Sequence, residues 1–229
     1  MNFVSGIMES KVVQLWETYG YVYLEGLWGT VWLSAVTVLA ATVVGALLAM
    51  MKLSKVKVFG WFVDLFMAII RGTPILLQLY FFWLWLPDIS PIQLSDTACI
   101  IVALIINASA YVAEVIRAGI QAVDIGQTEA AKSLGLTPYN TMMRVIMPQA
   151  IKNILPALGN QYIQMFKQTS LASVFFVDEL MTSYRTVQAA TFLALPSLII
   201  VGLIYLVVTT VLTWLLNIFE RRLQKSERN

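Results

Sequence analysis

The stretch GQTEAAKSLGLTPYNTMMRVIMP, residues 126–148, lies in the one long polar-bearing interval between hydrophobic runs of this chain. Its first part reads as a short helix. Gly126 opens the helix, and Glu129 lies in the first turn, where the helix dipole favours a carboxylate. Gly135 is the predicted terminator because glycine adopts the backbone conformation that ends helices without steric cost.

A second helix is predicted directly afterwards. Thr137 is a suitable N-cap, and Pro138 takes the first helical position, where its missing N–H costs nothing. A helix of about ten residues is marginal in water, so its apolar stripe must lie against something. Periodicity alone leaves open whether that is a partner protein, the chain's own membrane helices or lipid. The stripe consists of Tyr139, Met142, Met143 and Ile146.

The composition is that of an integral membrane protein. The 229 residues are 59% hydrophobic and 12% charged, and the mean hydropathy is +0.77, which is too apolar for a soluble domain of this length. The net charge of +2 gives no reason to expect nucleic acid as a partner. Histidine is absent and Cys99 stands alone, so neither a metal site nor an intrachain disulfide is expected.

Hydrophobic runs predict one all-α membrane domain, 1–229, with five transmembrane helices. Each run is long enough at 1.5 Å per residue to cross a hydrocarbon core of about 30 Å. The second run contains Gly72 and Pro74, where the helix should kink or restart, and Pro87 should end it. The predicted spans are residues 24–51, 59–86, 97–117, 156–177 and 195–219, with an outer N-terminal segment 1–23, a loop 118–155 and a tail 220–229.

Cations are distributed unequally between the two sides of such a chain. Eleven fall on one side and two, Lys11 and Arg185, on the other, while Arg71 and Lys167 lie within spans. Cytoplasmic loops carry the excess of Lys and Arg. The N-terminus is therefore predicted outside and the C-terminus in the cytoplasm. The eleven are Lys52, Lys55, Lys57, Arg117, Lys132, Arg144, Lys152, Arg221, Arg222, Lys225 and Arg228.

The polar interval resembles the EAA loop of ABC importer permeases. Glu129-Ala130-Ala131 is followed after three residues by Gly135, and after nine more by Val145-Ile146-Met147-Pro148, with Val and Met where the family pattern favours Ile and Leu. The resemblance implies that the loop 124–148 is a coupling helix that docks on an ATPase subunit. The implied coupling residues are Gly126, Glu129, Ala130, Ala131, Gly135, Pro138, Met142, Met143 and Pro148.

Further segments are similar to the polar amino acid permeases of this group. They are Gly26-Leu27-Trp28-Gly29-Thr30, Arg71-Gly72-Thr73-Pro74 with Gln78, Ala110 to Arg117, and Gly159-Asn160-Gln161 through Lys167-Gln168-Thr169-Ser170-Leu171. The resemblance implies a type I ABC importer permease fold, in a subunit that moves a polar amino acid across the bacterial inner membrane. It also implies a second permease, identical or similar, with two ATPase subunits that hold ATP and magnesium and an extracytoplasmic amino-acid-binding protein.

Nucleotide binding by this chain is not expected. Gly126, four residues and Ala131-Lys132-Ser133 differ from a phosphate-binding loop at one position. That loop needs a second glycine so that consecutive backbone amides wrap the phosphates after a strand, whereas Ala131 lies in a helix pattern. ATP hydrolysis is therefore expected on another subunit. The chain has no predicted catalytic residue or cofactor and is not by itself an enzyme.

Polar residues inside the spans are the candidate substrate contacts, because such groups are costly against lipid and usually face a cavity or the bundle interior. Hydrogen bonding between helices, including contacts across a dimer, is the alternative for the fourth-span residues. For Arg71, the alternative is an ion pair with a carboxylate of the bundle. The candidate residues are Arg71, Thr73, Gln78, Asn160, Gln164, Lys167, Gln168, Thr169 and Ser170.

Two details refine this hypothesis. Glu114 and Arg117 are three residues apart on one helix face and are predicted to pair in the interior. Relatives often carry Asp after the Lys of the fourth span, whereas this chain has Gln168. The missing negative charge favours a neutral or acidic amino acid over a cationic one.

Two other functions fit a polar membrane protein. An ion-coupled secondary transporter would use Glu114, Lys167 or Asp64 as proton-linked groups, but five spans do not divide into equal inverted halves. A membrane scaffold would need no polar stripe inside the bundle. ATP dependence of uptake separates the first from an ABC importer, and loss of transport on neutralising Lys167 argues against the second.

Overall fold

The computed structural model describes the backbone of residues 2–54 and 56–225 and the side chains of 10–54 and 56–223. These residues form helices and no strand, which confirms the all-α prediction. The predicted cations Lys55, Lys225 and Arg228 lie outside the described side chains. The helices are α1 (Asn2–Leu53), α2 (Lys57–Gly72), α3 (Ile75–Ile89), α4 (Asp96–Gln121), α5 (Ile125–Ser133), α6 (Pro138–Asn140), a π-helical turn (Thr141–Ile146), α7 (Met147–Gln168), a 3-10 segment (Thr169–Phe175), α8 (Leu180–Thr191) and α9 (Ala194–Lys225).

Three described helices are long and apolar enough to cross a membrane: Ser10–Leu53, Asp96–Gln121 and Ala194–Leu223. The pair Lys57–Gly72 and Ile75–Ile89 passes the same criterion together and is bent by 108°. The membrane prediction is therefore confirmed, with three or four candidate spans. The predicted fourth span, 156–177, is not among them, because α7 carries many polar residues and ends at Gln168.

The first predicted span, 24–51, lies within a longer helix. Helix α1 does not begin at residue 24 but runs without a break from Asn2 to Leu53. Leu15 and Tyr23, which the sequence assigned to an outer segment, are buried against α8 and α9. A hydropathy pattern marks only the lipid-facing part of a helix, so it misses a polar extension that continues the same hydrogen-bond ladder.

The break in the second span is confirmed. Helix α2 ends at Gly72 and α3 begins at Ile75, so the chain turns at Thr73 and Pro74. Pro87, however, does not end the segment, since α3 continues to Ile89. Because Pro87 lies in the last turn, it removes one hydrogen bond where the helix is about to end anyway.

The loop 118–155 is largely helical. Helix α4 continues to Gln121, and the chain from Pro138 to Gln168 is helical throughout. The predicted second short helix is therefore joined to the predicted fourth span, and Pro156 lies inside α7 instead of at its start. In the π-helical turn the N–H of Met147 donates to the carbonyl of Met142, five residues back.

The π-helical turn also breaks the predicted apolar stripe. Spacings of three and four residues share a face only in an α-helix. Ile146 is buried here, whereas Tyr139 and Met143 are exposed. The stripe was assigned to one face because the pattern was interpreted with α-helical periodicity throughout.

The chain divides into two compact units. Unit 1 comprises residues 1–37, 79–104 and 163–212, and unit 2 comprises residues 38–78, 105–162 and 213–229. Each boundary falls inside a helix, so the chain passes from one unit to the other five times. The helices that contribute to both units are α1, α3, α4, α7 and α9.

In unit 1, α1 packs against the residues that begin α8. A Cβ atom on Gly26 would lie 2.0 Å from Ser183 Oγ, and one on Gly29 would lie 2.2 Å from the carbonyl oxygen of Asp178. Neither distance is possible for a real side chain. The two glycines therefore let the backbone of residues 178–183 approach α1 closely.

In unit 2, α1, α2 and α4 pack together. Leu48, Val63 and Ala113 form the buried cluster that joins them. A Cβ atom on Gly45 would lie 2.7 Å from Val112 Cγ1, so α1 and α4 are also in close contact. Lys52 forms an ion pair with Asp64, which links the end of α1 to α2.

We expect Gly29→Ala to destabilise the protein by about 1–3 kcal/mol, because the added methyl group would have to displace backbone atoms of Asp178. Gly202→Ala is the matched control, since a Cβ there meets no atom within 4 Å. It should be neutral or stabilising by about 0.5–1 kcal/mol, as for an unconstrained helical glycine. Thermal unfolding of the purified variants measures both; equal midpoints would contradict the close approach.

Candidate functional site

Helix α5 has well-formed ends. Asp124, which the sequence analysis did not single out, is the N-cap, and its Oδ1 accepts a hydrogen bond of 2.6 Å from the N–H of Gly126. At the other end Gly135 has φ +75°, and its N–H donates to the carbonyl of Lys132. The N–H of Leu136 donates to the carbonyl of Ala131. This is a Schellman motif, which confirms Gly135 as the terminator.

The next helix begins as predicted. Thr137 Oγ1 accepts the N–H of Asn140 at 3.3 Å, and Pro138 occupies the first turn. Apolar side chains on both sides of this junction are exposed: Leu134 by 82%, Ile125 by 75% and Tyr139 by 72%. Ala131 is buried, whereas Glu129 and Ala130 are exposed. The two predicted short helices therefore carry exposed apolar side chains that the rest of unit 2 does not cover.

Gln78 holds the bend between α2 and α3. Its Nε2 donates to the carbonyl of Ile70 at 2.7 Å, and to the carbonyl and Oγ1 of Thr73 at 3.1 and 2.8 Å. Its Oε1 accepts from Nδ2 of Asn107 on α4 at 2.8 Å. The side chain is buried and its hydrogen-bonding groups are occupied by the protein. Gln78 therefore fixes the geometry of the bend, and Asn107 is a site residue that the sequence analysis missed.

Arg71 has an aromatic partner. The guanidinium carbon lies 5.8 Å from the centre of the Tyr111 ring, within the range of a cation–π interaction. Neither of the two ion pairs among the described side chains involves Arg71. The predicted pair of Glu114 and Arg117 is present, with Nε of Arg117 3.0 Å from Oε2 of Glu114, and Arg117 also donates to Gln121.

The polar residues of the predicted fourth span separate into two groups. Asn160, Gln164 and Lys167 are exposed side chains of α7. The α-helix then ends at Gln168, and the chain continues as the 3-10 segment. Gln168 Oε1 is buried and has no hydrogen-bond partner among the described residues. Thr169 Oγ1 and Ser170 Oγ donate to the carbonyls of Phe166 and Lys167.

The segment after the 3-10 helix contains a buried acid that the sequence analysis also missed. Glu179 is fully buried and caps α8: its carboxylate accepts the N–H groups of Met181 and Thr182 at 2.8 and 2.6 Å. Burial raises the pKa of Glu179 to about 7, although these hydrogen bonds favour the charged form. The acidic pair Asp178-Glu179, between two apolar runs and just before a helix pattern, is the signal that could have identified this cap.

Comparison with known proteins shows the class of protein that these features define. The family described as the inner membrane component of binding-protein-dependent transport systems matches residues 41–225. The chain belongs to this family. Its members are permease subunits of ABC transporters, which act with ATPase and binding-protein partners and in general leave ATP hydrolysis to the separate ATPase subunit. The chain is accordingly an inner membrane protein.

Individual relatives are similar over nearly the whole chain. The arginine transport system permease protein ArtQ of Bacillus subtilis is 38% identical over 89% of this chain and 93% of its own length. The probable glutamine ABC transporter permease protein GlnM of the same organism is 37% identical over 90% and 94%. A chain in the crystal structure of an amino acid ABC transporter with histidines matches with a TM-score of 0.86 and 39% identity, covering 97% and 99%.

We expect Gln78→Leu to destabilise the protein by about 1–3 kcal/mol, because it leaves the buried amide of Asn107 and the carbonyls at the bend without partners. The double variant with Asn107→Leu should recover part of that loss. Gln164→Leu is the control, because an exposed glutamine contributes within about 0.5 kcal/mol. Thermal unfolding gives all four midpoints; a Gln78→Leu protein as stable as the wild type would contradict this role.

Proposed function

We propose that this chain is the permease subunit of an ATP-driven importer of polar amino acids. The observation that carries the proposal is similarity along almost the full chain to permeases that are named for arginine and for glutamine transport. A solved amino acid transporter with 39% identity supports it. The chain itself then needs no cofactor, and ATP with magnesium binds to the partner ATPase.

We further propose that five helices cross the membrane. Three long apolar helices and the bent pair of α2 and α3 account for four of them. Helix α7, with 22 residues, is about 33 Å long, enough for the hydrocarbon core. Its polarity suits a helix that faces a water-filled pathway instead of lipid.

The orientation follows from charge. The segments around Lys52, Lys132 and Arg221 carry the excess of cations, so we place them in the cytoplasm and the N-terminus outside. A single set of five helices is too few to enclose a sealed pathway. We therefore propose that a second permease, identical or similar, completes the transporter together with two ATPase subunits and an extracytoplasmic binding protein.

The two short helices are the proposed contact with the ATPase. Their capped ends hold them in shape without a partner, while the exposed side chains of Ile125, Leu134 and Tyr139 provide apolar area for docking. Such a surface on the cytoplasmic side is what a permease needs to transmit movement from an ATPase. The proposed coupling residues remain Gly126, Glu129, Ala130, Ala131, Gly135, Pro138, Met142, Met143 and Pro148.

The complex reconstituted in liposomes with its ATPase and binding protein should take up amino acid only when ATP is supplied. Leu134→Asp should abolish this uptake and weaken ATPase binding by at least about tenfold, because it places a charge in an apolar contact. Uptake and co-purification of the ATPase measure the two effects.

Ile92→Asp is the matched control, because Ile92 is an exposed isoleucine in the connection between α3 and α4, which lies outside in the proposed topology. It should leave both readouts unchanged. ATP-independent uptake driven by an ion gradient would instead support a secondary transporter. Full transport by Leu134→Asp would reject the two short helices as the coupling element.

The residues proposed to contact the substrate are, in unit 1, Gln164, Lys167, Gln168, Thr169 and Ser170, and, in unit 2, Arg71, Thr73 and Asn160. An amino acid carries an ammonium and a carboxylate, so its route must offer acceptors and donors together. The buried, unpaired Oε1 of Gln168 is a free acceptor of this kind. Gln78 serves the route by holding the bend beside Thr73 and not by touching substrate.

Gln168→Asp should shift the preference toward cationic amino acids, because a carboxylate in a poorly solvated site attracts ammonium or guanidinium groups and repels acidic side chains. Competition of glutamate, glutamine and arginine for uptake, with one binding protein used for both forms, measures the ranking. Gln161→Asp, at a half-buried position of α7 outside the proposed route, is the control. An unchanged ranking in Gln168→Asp would remove Gln168 from selectivity.

A further inference from the structure

Glu179 lies where three helices of unit 1 meet. Besides the N–H groups of α8, its Oε2 accepts a hydrogen bond of 3.3 Å from the hydroxyl of Tyr205 on α9. The neighbouring N–H of Leu180 donates to Oγ1 of Thr30 on α1 at 2.9 Å. Ser183, one turn further along α8, donates to the carbonyl of Val22 on α1. The first turn of α8 is therefore tied to both α1 and α9.

Hydrogen bonds also run from this turn back to the 3-10 segment. The single hydroxyl proton of Thr182 is shared between the carbonyl of Val177, 2.6 Å from Oγ1, and Oε1 of Glu179, 3.1 Å away. Arg185 Nη1 donates to the carbonyl of Ser173 at 3.1 Å, and Ser173 Oγ donates to the carbonyl of Ser170 at 2.7 Å. Two sets of contacts from α8 thus reach the preceding chain: one joins Glu179 through Thr182 to Val177, and the other joins Arg185 through Ser173 to Ser170, the residue next to Thr169.

The turn between the two helical segments is strained. Phe176 has φ 56° and ψ 26°, a left-handed conformation that is unfavourable for a bulky side chain. Such a conformation persists only where surrounding contacts determine it. Phe176 is itself exposed, so its own side chain does not hold the turn. Two backbone hydrogen bonds close the turn, from the N–H of Phe176 to the carbonyl of Ser173 at 3.2 Å and from the N–H of Val177 to the carbonyl of Ala172 at 3.4 Å. The contacts of Thr182 with Val177 and of Arg185 with Ser173 fix α8 against this turn.

We propose that Glu179 is a positioning residue for transport: it holds the 3-10 segment Thr169–Phe175, and through it the polar residues 167–170, at a fixed place against α1 and α9. This inference rests on the proposed function, since it assigns residues 167–170 to the substrate route. Glu179 itself does not touch substrate. Its role is to keep the end of α7 at a fixed position relative to the membrane helices α1 and α9.

The chemistry of the site requires a glutamate. Oε1 receives the N–H and hydroxyl of Thr182, and Oε2 receives the N–H of Met181 and the hydroxyl of Tyr205, so both oxygens act as acceptors. Glutamine would replace one of these acceptor oxygens with an NH₂ group, which is a donor and would face the N–H of Met181 or Thr182. Aspartate remains a good helix cap but is one methylene shorter, so it loses the link to Tyr205. Glu179→Asp should therefore keep the cap of α8 while losing the link to Tyr205, so it tests the positioning role separately from the capping role.

In the reconstituted transporter, Glu179→Asp should lower the amino acid taken up per ATP hydrolysed by about tenfold, the size expected for losing one hydrogen bond to a charged group. The amount of assembled complex and its ATP hydrolysis should not change. Tyr205→Phe should have a similar effect, and the double variant should be no worse than either single one. Glu25→Asp, the same change at an exposed position of α1, should have no effect.

A second measurement does not depend on transport. A spin label on Ser170→Cys, in a Cys99→Ala background, should become more mobile in Glu179→Asp and in Tyr205→Phe. Unchanged label mobility, or effects of the two substitutions that simply add, would overturn the positioning role. If the wild type shows no ATP-driven uptake, the proposed function fails, while the label still decides the role of Glu179 within the fold.

Discussion

The close approach of α1 to the residues that begin α8 is the constraint on which unit 1 depends. It exists because Gly26 and Gly29 have no side chain, so that backbone meets backbone. Without it, the N–H of Leu180 would not reach Thr30. A second buried hydrogen bond of 2.7 Å, between Tyr23 and Ser197, joins α1 to α9. Small residues allow such close approach in membrane helices. Because lipid provides no hydrophobic drive for helix association, the helices are held by van der Waals contacts, which require short distances.

In unit 2 the main constraint is the sharp turn of the chain between α2 and α3, within an apolar region. A break between α2 and α3 exposes backbone carbonyls that water cannot reach in a bilayer. The side chain of Gln78 replaces the lost helical donors, and Asn107 on a neighbouring helix holds that side chain in turn. The bend is therefore a hydrogen-bonded structure and not a flexible joint.

The sequence predicted those features that depend on local chemistry. Gly135, Thr137 and Pro138 each have a strong intrinsic preference, and the structure places them as helix terminator, N-cap and first helical residue. Features set by contacts distant in sequence were missed. The extension of α1, the hydrogen bond from Asn107 to Gln78 and the burial of Glu179 all depend on partners more than 25 residues away. Hydropathy does not identify α7 as a span either, because this helix carries many polar residues.

The π-helical turn from Thr141 to Ile146 limits which insertions and deletions this part of the chain tolerates. Relative to an α-helix, such a turn accommodates one additional residue. Pro148 follows it and has no N–H, so no hydrogen bond from that position favours either register. Deleting one residue here would restore α-helical spacing and rotate the preceding capped helices by about 100° around the axis of α7. The exposed apolar side chains would then point away from their present direction. The length of this segment is therefore constrained more strictly than its composition.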